Sequence, residues 1–568
     1  MKILLVAVNA KYIHTNLAVH SLRSYAKPYK ENIHIAEYTI NHSFNEILKG
    51  IYKEKADMIG FSCYIWNIEL IMRVIRELKK IQPGVKIFLG GPEVSYNPSE
   101  ILNKHNEVDY IIVGEGEETF LELVECFSGG KNPINKIPGM AYREAGNILL
   151  NPVRKPLNLD SIPFPYEDME QFNNKIIYYE SSRGCPFSCS YCLSSVDKSV
   201  RLRNIDLVKK ELKIFLDYKV PQVKLVDRTF NCNRVHAMEI WKFIKENDNG
   251  ITNFHCEIAA DILTDEEIEL LSTLRPGQIQ FEIGVQSTNP DTIAAIHRKM
   301  DLEKLADNVA KIKKGGNIHQ HLDLIAGLPL EDYQSFCKSF NDVYAMQPDQ
   351  LQLGFLKVLK GSIMEQDVIK YGIVYQDRAP YEVLYTNDLS YDEVLQLKGI
   401  CEMVEVYYNS GQFVYSMEYL NHFFDTPVHL YRALWEYYEH NKLDLISHTR
   451  IRRFEILLDF YRDIILNKNN LESEQDSQLF KEILSFDLCL REAMKNRISF
   501  APLPLEKKQL SEIYESLKLN RRDTHVERFT YDIIRSARTG IPYQKEQIII
   551  FDYSKRDPLN KSASIMFI

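Results

Sequence analysis

At 568 residues the chain is too long for a single hydrophobic core, and its length suggests about three or four domains. With 45% hydrophobic and 26% charged residues and no low-complexity tract, it has the composition of an ordinary folded protein. A formal net charge of -9 argues against a general polyanion-binding surface, a local basic site for tRNA being the exception left open, and no apolar run approaches the roughly 18 residues of a membrane span.

The apolar run Ile3 to Val8 is followed at once by polar chain, so it reads as a buried strand and not as a signal peptide. Further apolar runs at Ile33 to Tyr38, Met58 to Ser62, Lys86 to Leu89 and Tyr110 to Val113 alternate with helical patterns near Leu17 to Tyr25, Phe44 to Lys53 and Glu69 to Ile81. Such alternation predicts a parallel sheet with helices on both faces, whose ligands bind at the carboxyl ends of the strands. The loops at those ends are Asn9-Ala10-Lys11-Tyr12-Ile13-His14, Cys63-Tyr64-Ile65-Trp66-Asn67, Gly90-Gly91-Pro92-Glu93 and Gly114-Glu115-Gly116-Glu117-Glu118-Thr119. Glycines there let backbone approach a ligand closely; a nucleotide site of the general switch-point kind is the competing reading. This first domain is expected over 1–135. The prolines of Pro138-Gly139, Asn151-Pro152, Lys155-Pro156 and Ile162-Pro163-Phe164-Pro165-Tyr166 cannot continue a helix or a central strand, which predicts a linker over 136–172.

The stretch Tyr178-Tyr179-Glu180-Ser181-Ser182-Arg183-Gly184-Cys185-Pro186-Phe187-Ser188-Cys189-Ser190-Tyr191-Cys192 carries three cysteines at Cys-x3-Cys-x2-Cys spacing after a short strand. Three close thiolates cover three irons of a 4Fe-4S cube and leave the fourth open. Structural zinc wants four ligands in two separated pairs, and no second pair or nearby His completes one. The other seven cysteines (Cys63, Cys126, Cys232, Cys256, Cys337, Cys401 and Cys489) are scattered singly, as suits reduced thiols in a cytoplasm.

This spacing, with an aromatic residue directly before the third cysteine, resembles the radical S-adenosylmethionine (radical SAM) superfamily. The upstream runs Leu89-Gly90-Gly91-Pro92 and Val113-Gly114-Glu115-Gly116-Glu117 resemble the cobalamin-binding domain that precedes the barrel in cobalamin-dependent radical SAM enzymes. The resemblance implies that Cys185, Cys189 and Cys192 hold the cluster, that the methionine end of SAM chelates the open iron, and that Tyr191 packs near the adenine. It also implies cobalamin contacts from Asn9, Tyr12, Ser62, Tyr64, Trp66, Gly90, Gly91, Glu115, Gly116 and Glu117. The Asp-x-His-x-x-Gly motif of mutase-type cobalamin domains is absent, leaving His14 as one candidate for the lower face of the corrin and Trp66 or Tyr64 as the other.

Strand patterns resume at Ile176 to Tyr179, Val223 to Val226, Phe254 to Ile258, Ile279 to Val285, Gln320 to Ala326 and Gln350 to Val358, six in all, the number in the partial barrel of this superfamily. The barrel is expected over 173–375, with its active site at the carboxyl ends of the strands. By resemblance Gln286 and Asp323 reach the ribose, Arg298 pairs its planar guanidinium with the methionine carboxylate, and Glu257 takes the methionine amino group. The Gly-Gly-Glu run expected after the second strand is replaced by Val226-Asp227-Arg228-Thr229-Phe230, which makes Asp227 a further SAM candidate.

From 376 to 568 amphipathic helices are predicted at Tyr391 to Ser410, Pro427 to Leu443, Arg450 to Leu466, Leu479 to Met494 and Leu505 to Leu517, with two terminal strands at Lys545 to Tyr553 and Ala563 to Ile568. The dense aromatics between Tyr407 and Tyr438 read first as core, with a lid over the barrel mouth as the sharper alternative. Arg521-Arg522, Arg528, Arg535 and Arg538 read as a solvated helix face, with an anionic or RNA contact as the alternative.

The fold expected is thus α/β: a Rossmann-like cobalamin-binding domain and a partial (β/α)6 radical SAM barrel, followed by a mainly helical C-terminal domain. The function implied is a cytoplasmic methyltransferase acting at an unactivated carbon through a 5'-deoxyadenosyl radical and methylcobalamin, served by a low-potential electron donor such as flavodoxin or ferredoxin. A non-methylating rearrangement, cyclisation or reduction with the same cofactors, and a non-catalytic cobalamin sensor, are the competing readings.

Overall fold

The computed structural model describes residues 1–130, 132–466, 474–494 and 497–568. Strand β1, Ile3–Asn9, is buried at every position because it lies inside a parallel sheet covered on both faces. The strands β2 (Ile33–Thr39), β3 (Met58–Ser62), β4 (Lys86–Gly90) and β5 (Tyr110–Ile112) complete the parallel order β2-β1-β3-β4-β5. The chain therefore reverses its direction of travel across the sheet beside β1, and the crevice at that switch point opens beyond the carboxyl ends of β1 and β3.

Part of the stretch predicted as linker is sheet. Met140–Glu144 (β6) and Asn147–Leu150 (β7) form a hairpin that adds antiparallel to β5. Met140, Ala141 and Tyr142 are buried in the core, so the flanking prolines mark the ends of a hairpin.

The second sheet contains β8 (Ile176–Tyr179), β9 (Gln222–Leu225), β10 (Asn253–Ile258), β11 (Ile279–Gln286), β12 (His319–Ala326) and β13 (Gln350–Phe355), all parallel and in sequence order. Alternation along β11 shows how the barrel is built. Ile279, Phe281, Ile283 and Val285 are fully buried, while Gln280, Glu282, Gly284 and Gln286 on the opposite face are only partly so. The pairing register places Glu257, Glu282 and His321 side by side, and Gly284 beside Asp323.

A barrel of six strands leaves two unpaired edges, and each is covered by a neighbouring segment. The β1 loop lies on β8: the Ile176 N–H donates to the Ile13 carbonyl at 2.7 Å, and the Thr15 N–H donates back to the Ile176 carbonyl at 3.3 Å. At the other edge Asn409 closes a two-bond loop with Leu351 of β13, accepting from its N–H and donating to its carbonyl, both at 2.9 Å. Asn409→Ala is expected to cost about 1–3 kcal/mol by stranding these two backbone groups, read as a lower urea midpoint.

The C-terminal region is mainly helical, with helices Tyr391–Val404, Val414–Asn421, Pro427–His440, Arg450–Phe460, Glu474–Arg491, Lys507–Ser516 and Ile533–Thr539 among the described residues. Residues 467–473 and 495–496 of this predicted domain lie outside them. Tyr407, Phe413, Tyr419, Tyr431, Phe454 and Tyr461 are buried in one core, as the plainer reading of the aromatics expects. The Tyr408 hydroxyl donates to the Pro348 carbonyl and the Cys401 thiol to that of Leu353. These contacts, with Asn409, run along the outer edge of β13, so here the helices buttress the barrel. The basic stretch is not one helix face. Thr524–Tyr531 (β14) pairs antiparallel with Gln544–Arg556 (β15), which pairs with Ala563–Phe567 (β16). Arg528 on β14 pairs with Glu546, and the Arg535 guanidinium lies 3.7 Å from the centroid of the Tyr543 ring. Among the described residues no helix is long and apolar enough to cross a membrane.

Candidate active site

The cysteine loop is closed at its base by a two-residue antiparallel ladder in which Ser182 and Arg183 pair with Leu202 and Arg201. Gly184 follows with φ +98°, and a Cβ there would lie 2.2 Å from the Ser199 carbonyl oxygen, so only glycine passes between the two limbs. Cys185 and Cys189 are buried, Cys192 is half-buried, and all three are free thiols. Arg298 Nη1 lies 3.8 Å from Cys189 Sγ, and Thr229 Oγ1 lies 3.6 Å from Cys185 Sγ. Burial raises the pKa of the Cys189 thiol, and the Arg298 charge and hydrogen bond offset only part of that rise. Among the described residues no three His, Cys, Asp or Glu side chains gather as a single-ion site would need. A cube draws its three thiolates to three separate irons, and this donor set suits it.

Around this loop lie most of the residues predicted for SAM. Arg298 also donates to the Gly284 carbonyl, while its Nε is buried without a hydrogen-bond partner. Gln286, at φ +73° where the β11–β12 register shifts, has its Oε1 buried and unpartnered. A Cβ on Gly284 would lie 2.2 Å from Gln286 Nε2, so glycine makes room for the amide. Such orphaned buried groups cost free energy unless a ligand completes them. Asp323 Oδ1 lies 3.1 Å from His321 Nε2, and burial raises its pKa. Glu257 is raised by burial and by the neighbouring Glu282 charge. Lys224 sits 2.9 Å from Glu282 and 3.5 Å from Glu257. Burial would raise Glu282, but the His255 hydrogen bond and the Lys224 charge outweigh it and hold this carboxylate well below its usual range. Tyr191 is half-buried and packs against the cluster of Ile296, Leu328 and Met364.

Asp227, predicted for SAM, is held by the loop itself. Its carboxylate accepts from the Ser181 N–H at 3.0 Å and from the Ser181 and Ser182 hydroxyls at 2.6 Å. It is buried, burial lifting its pKa to about 6, and it ties the turn after β8 to the segment that follows β9.

Between the first sheet and the barrel lies a cavity of about 990 Å³. One wall comes from the loops of the first domain, with Asn9, Ser62, Tyr64, Trp66, Gly90, Gly91 and Gly116. The other comes from the carboxyl ends of barrel strands, with Tyr178, Glu180, Lys224, Arg228 and Glu257. Tyr64 and Trp66 stack at 4.4 Å between centroids, and the Trp66 indole donates to the Val8 carbonyl. Gly91, at φ +110°, backs onto the Cys63 carbonyl, where a Cβ would lie 2.5 Å away. A wide chamber with glycine backbone and a fixed aromatic pair on one wall fits a corrin, and Tyr64, Trp66, Gly90 and Gly91 would hold it. His14 lines the same chamber, with Nδ1 bonded to the Tyr178 hydroxyl, which leaves only Nε2 for another partner.

Three predicted cobalamin contacts are otherwise engaged. Tyr12 is 71% exposed, is not part of the cavity wall, and lies beside Lys175. Glu115 and Glu117 line the chamber but have their carboxylates on Arg183 and Arg201 of the cysteine loop. The sequence reading passed over Arg183, Arg201, Tyr178, Lys224, His255, Glu282 and His321. The signal for the last four was a polar residue at alternate positions of otherwise apolar strands.

Family models match three consecutive parts of the chain: the B12 binding domain over 3–124, the radical SAM superfamily over 179–343, and a protein of unknown function (DUF4080) over 369–551. An uncharacterized methyltransferase of Pyrococcus horikoshii is 28% identical over 299 residues, which cover 51% of this chain and 64% of that protein. The cobalamin-dependent radical SAM methyltransferase TokK of Streptomyces tokunonensis is 28% identical over 316 residues, 51% of this chain and 45% of its own. The chain thus matches less than two thirds of the length of either relative. The structure of the cobalamin-dependent S-adenosylmethionine radical enzyme OxsB with aqua-cobalamin superposes with a TM-score of 0.60 at 16% identity, over 85% of this chain and 80% of that one, a likeness of fold. The chain thus carries a B12-binding domain, a radical SAM domain and a C-terminal DUF4080 region in that order, is homologous to cobalamin-dependent radical SAM enzymes, and by those domains takes cobalamin, a 4Fe-4S cluster and S-adenosylmethionine as cofactors.

Proposed function

We propose that the protein is a methyltransferase acting at an unactivated carbon. The observation that carries this reading is the single chamber shared by the corrin-facing loops and the carboxyl ends of the barrel strands, since a methyl donor and a hydrogen-abstracting radical must reach the same substrate carbon. When bound, the cluster supplies the electron that cleaves SAM, and the corrin carries the methyl group.

The chain's own part is to bind, orient and exclude water. Arg298 holds the methionine carboxylate beside Cys189, Glu257 accepts the methionine ammonium, Gln286 and Asp323 take the ribose hydroxyls, and Tyr191 packs on the adenine. Glu282, already held by Lys224 and His255, keeps Lys224 from neutralising Glu257 fully. A low-potential donor such as flavodoxin or ferredoxin delivers the electron.

The test is anaerobic reconstitution with methyl-labelled SAM and a small-molecule extract as substrate source. Labelled product formed together with 5'-deoxyadenosine is the expected result. Deoxyadenosine accompanied by a rearranged, cyclised or reduced product without label would replace methyl transfer with the non-methylating reading.

A further inference from the structure

Three of the four glutamates of the two glycine-rich loops of the first domain, Glu93, Glu115 and Glu117, are spent on the barrel and the chain that follows it, while Glu118 pairs with Arg154 and accepts from the Tyr25 hydroxyl. Glu117 Oε1 lies 2.8 Å from Arg183 Nη2, and Glu115 Oε2 lies 3.5 Å from Arg183 Nη1. Glu115 also pairs with Arg201 and accepts from the Leu157 N–H at 2.8 Å. Arg183 and Arg201 are the facing residues of the ladder that closes the cysteine loop, with Arg183 two positions before Cys185, and Glu180 completes the cage at 2.7 Å. Glu93, after the Gly90-Gly91 turn, is 7% exposed, accepts from the Tyr381 hydroxyl and lies 3.6 Å from Lys360 Nζ, both in the chain that follows β13.

Buried ion pairs of this kind add little net stability, because each charge must be stripped of water, but they recover that cost in one geometry only. Their use is registry. A purely adhesive interface would be better made of apolar side chains, whereas charged forks fix distance and angle. Here each fork joins a loop on the corrin side of the chamber to a barrel segment, in one case the very loop that carries the cluster ligands.

We propose that Glu93, Glu115 and Glu117 are positioning residues that set the separation of corrin and cluster, through Tyr381 and Lys360 on one side and Arg183 and Arg201 on the other. This does not depend on whether a methyl group is transferred.

The test uses the full chain loaded with both cofactors, with cobalt in its paramagnetic Co(II) state and the cluster reduced, so that each spin reports the nearness of the other. In the parent the cobalt signal is expected to relax fast and uniformly, as a cluster held at one fixed distance requires. In Glu115→Gln/Glu117→Gln, and separately in Tyr381→Phe/Lys360→Met, loading is expected to match the parent while that uniform fast relaxation is lost to a spread of slower populations. Substrate turnover per deoxyadenosine is expected to fall about 100-fold, the usual penalty for misplacing reactants by an ångström. Parent-like relaxation in both variants, each loaded and with a parent-like melting point, would overturn the proposal. So would loss of cobalamin from Glu115→Gln/Glu117→Gln with the cluster retained, which would place these carboxylates in corrin binding. The second pair removes only side-chain tips, and it decides the matter alone if the first does not fold.

Discussion

Cys189→Ala is expected to remove 5'-deoxyadenosine formation altogether, a loss of at least about 1,000-fold, while cobalamin binding persists. Cys189 is the buried middle cysteine of the triplet and the one beside the Arg298 guanidinium. Without it a cube keeps two thiolates and loses the geometry that leaves one iron open to SAM. The corrin side of the chamber is built by loops far earlier in the chain, with Gly90, Gly91, Tyr64 and Trp66 on its wall. Iron content, the cobalamin absorption spectrum and mass spectrometry for deoxyadenosine read the two halves separately. Deoxyadenosine at the parent rate in this variant would remove the triplet from catalysis.

Stability is expected to fall by several kcal/mol as the pH rises from about 5 to 8, chiefly through two buried acids. Asp487 accepts from the Tyr415 and Ser416 N–H groups and the Ser416 hydroxyl, and burial lifts its pKa from 3.8 to about 7. Glu331 accepts from the Ser287 and Ser339 hydroxyls, and burial lifts it from 4.5 to about 7. Both folded values lie above the unfolded ones, so the folded chain holds protons that the unfolded chain has released. The stabilisation is complete below about pH 4 and is lost as the pH passes 7, with an upper bound of roughly 3–4 kcal/mol for each group. Urea midpoints at pH 5.5 and pH 8 measure it, and Asp487→Asn with Glu331→Gln is expected to flatten the difference. A midpoint in the parent that does not fall with pH would show that these acids stay ionised in the folded state.

Where one kind of residue dominates one face, the sequence was a reliable guide. β1 is a run of six apolar residues, β11 alternates strictly, and the cysteine spacing carries its chemistry within one loop. It was a poor guide where a side chain's partner lies far along the chain. Nothing near Glu115 or Glu117 announces Arg183 and Arg201, and nothing near Asp227 announces Ser181 and Ser182. The strand Thr524–Tyr531 was hidden by its charges. Glu527 is 1% exposed between Arg497, which pairs with its carboxylate, and the His525 ring 3.3 Å away, and Val526, Phe529 and Tyr531 are buried, a pattern that net basicity obscured.

The two covered edges of the barrel bear on how the chain must be made. A parallel sheet ending in bare strands invites other chains to add to it. As a nascent chain emerges, β8 finds the β1 loop already synthesised, but β13 waits for Asn409, nearly sixty residues later. During that interval the growing polypeptide exposes a sticky strand, and a ribosome stalled near residue 375 would release a fragment prone to self-association.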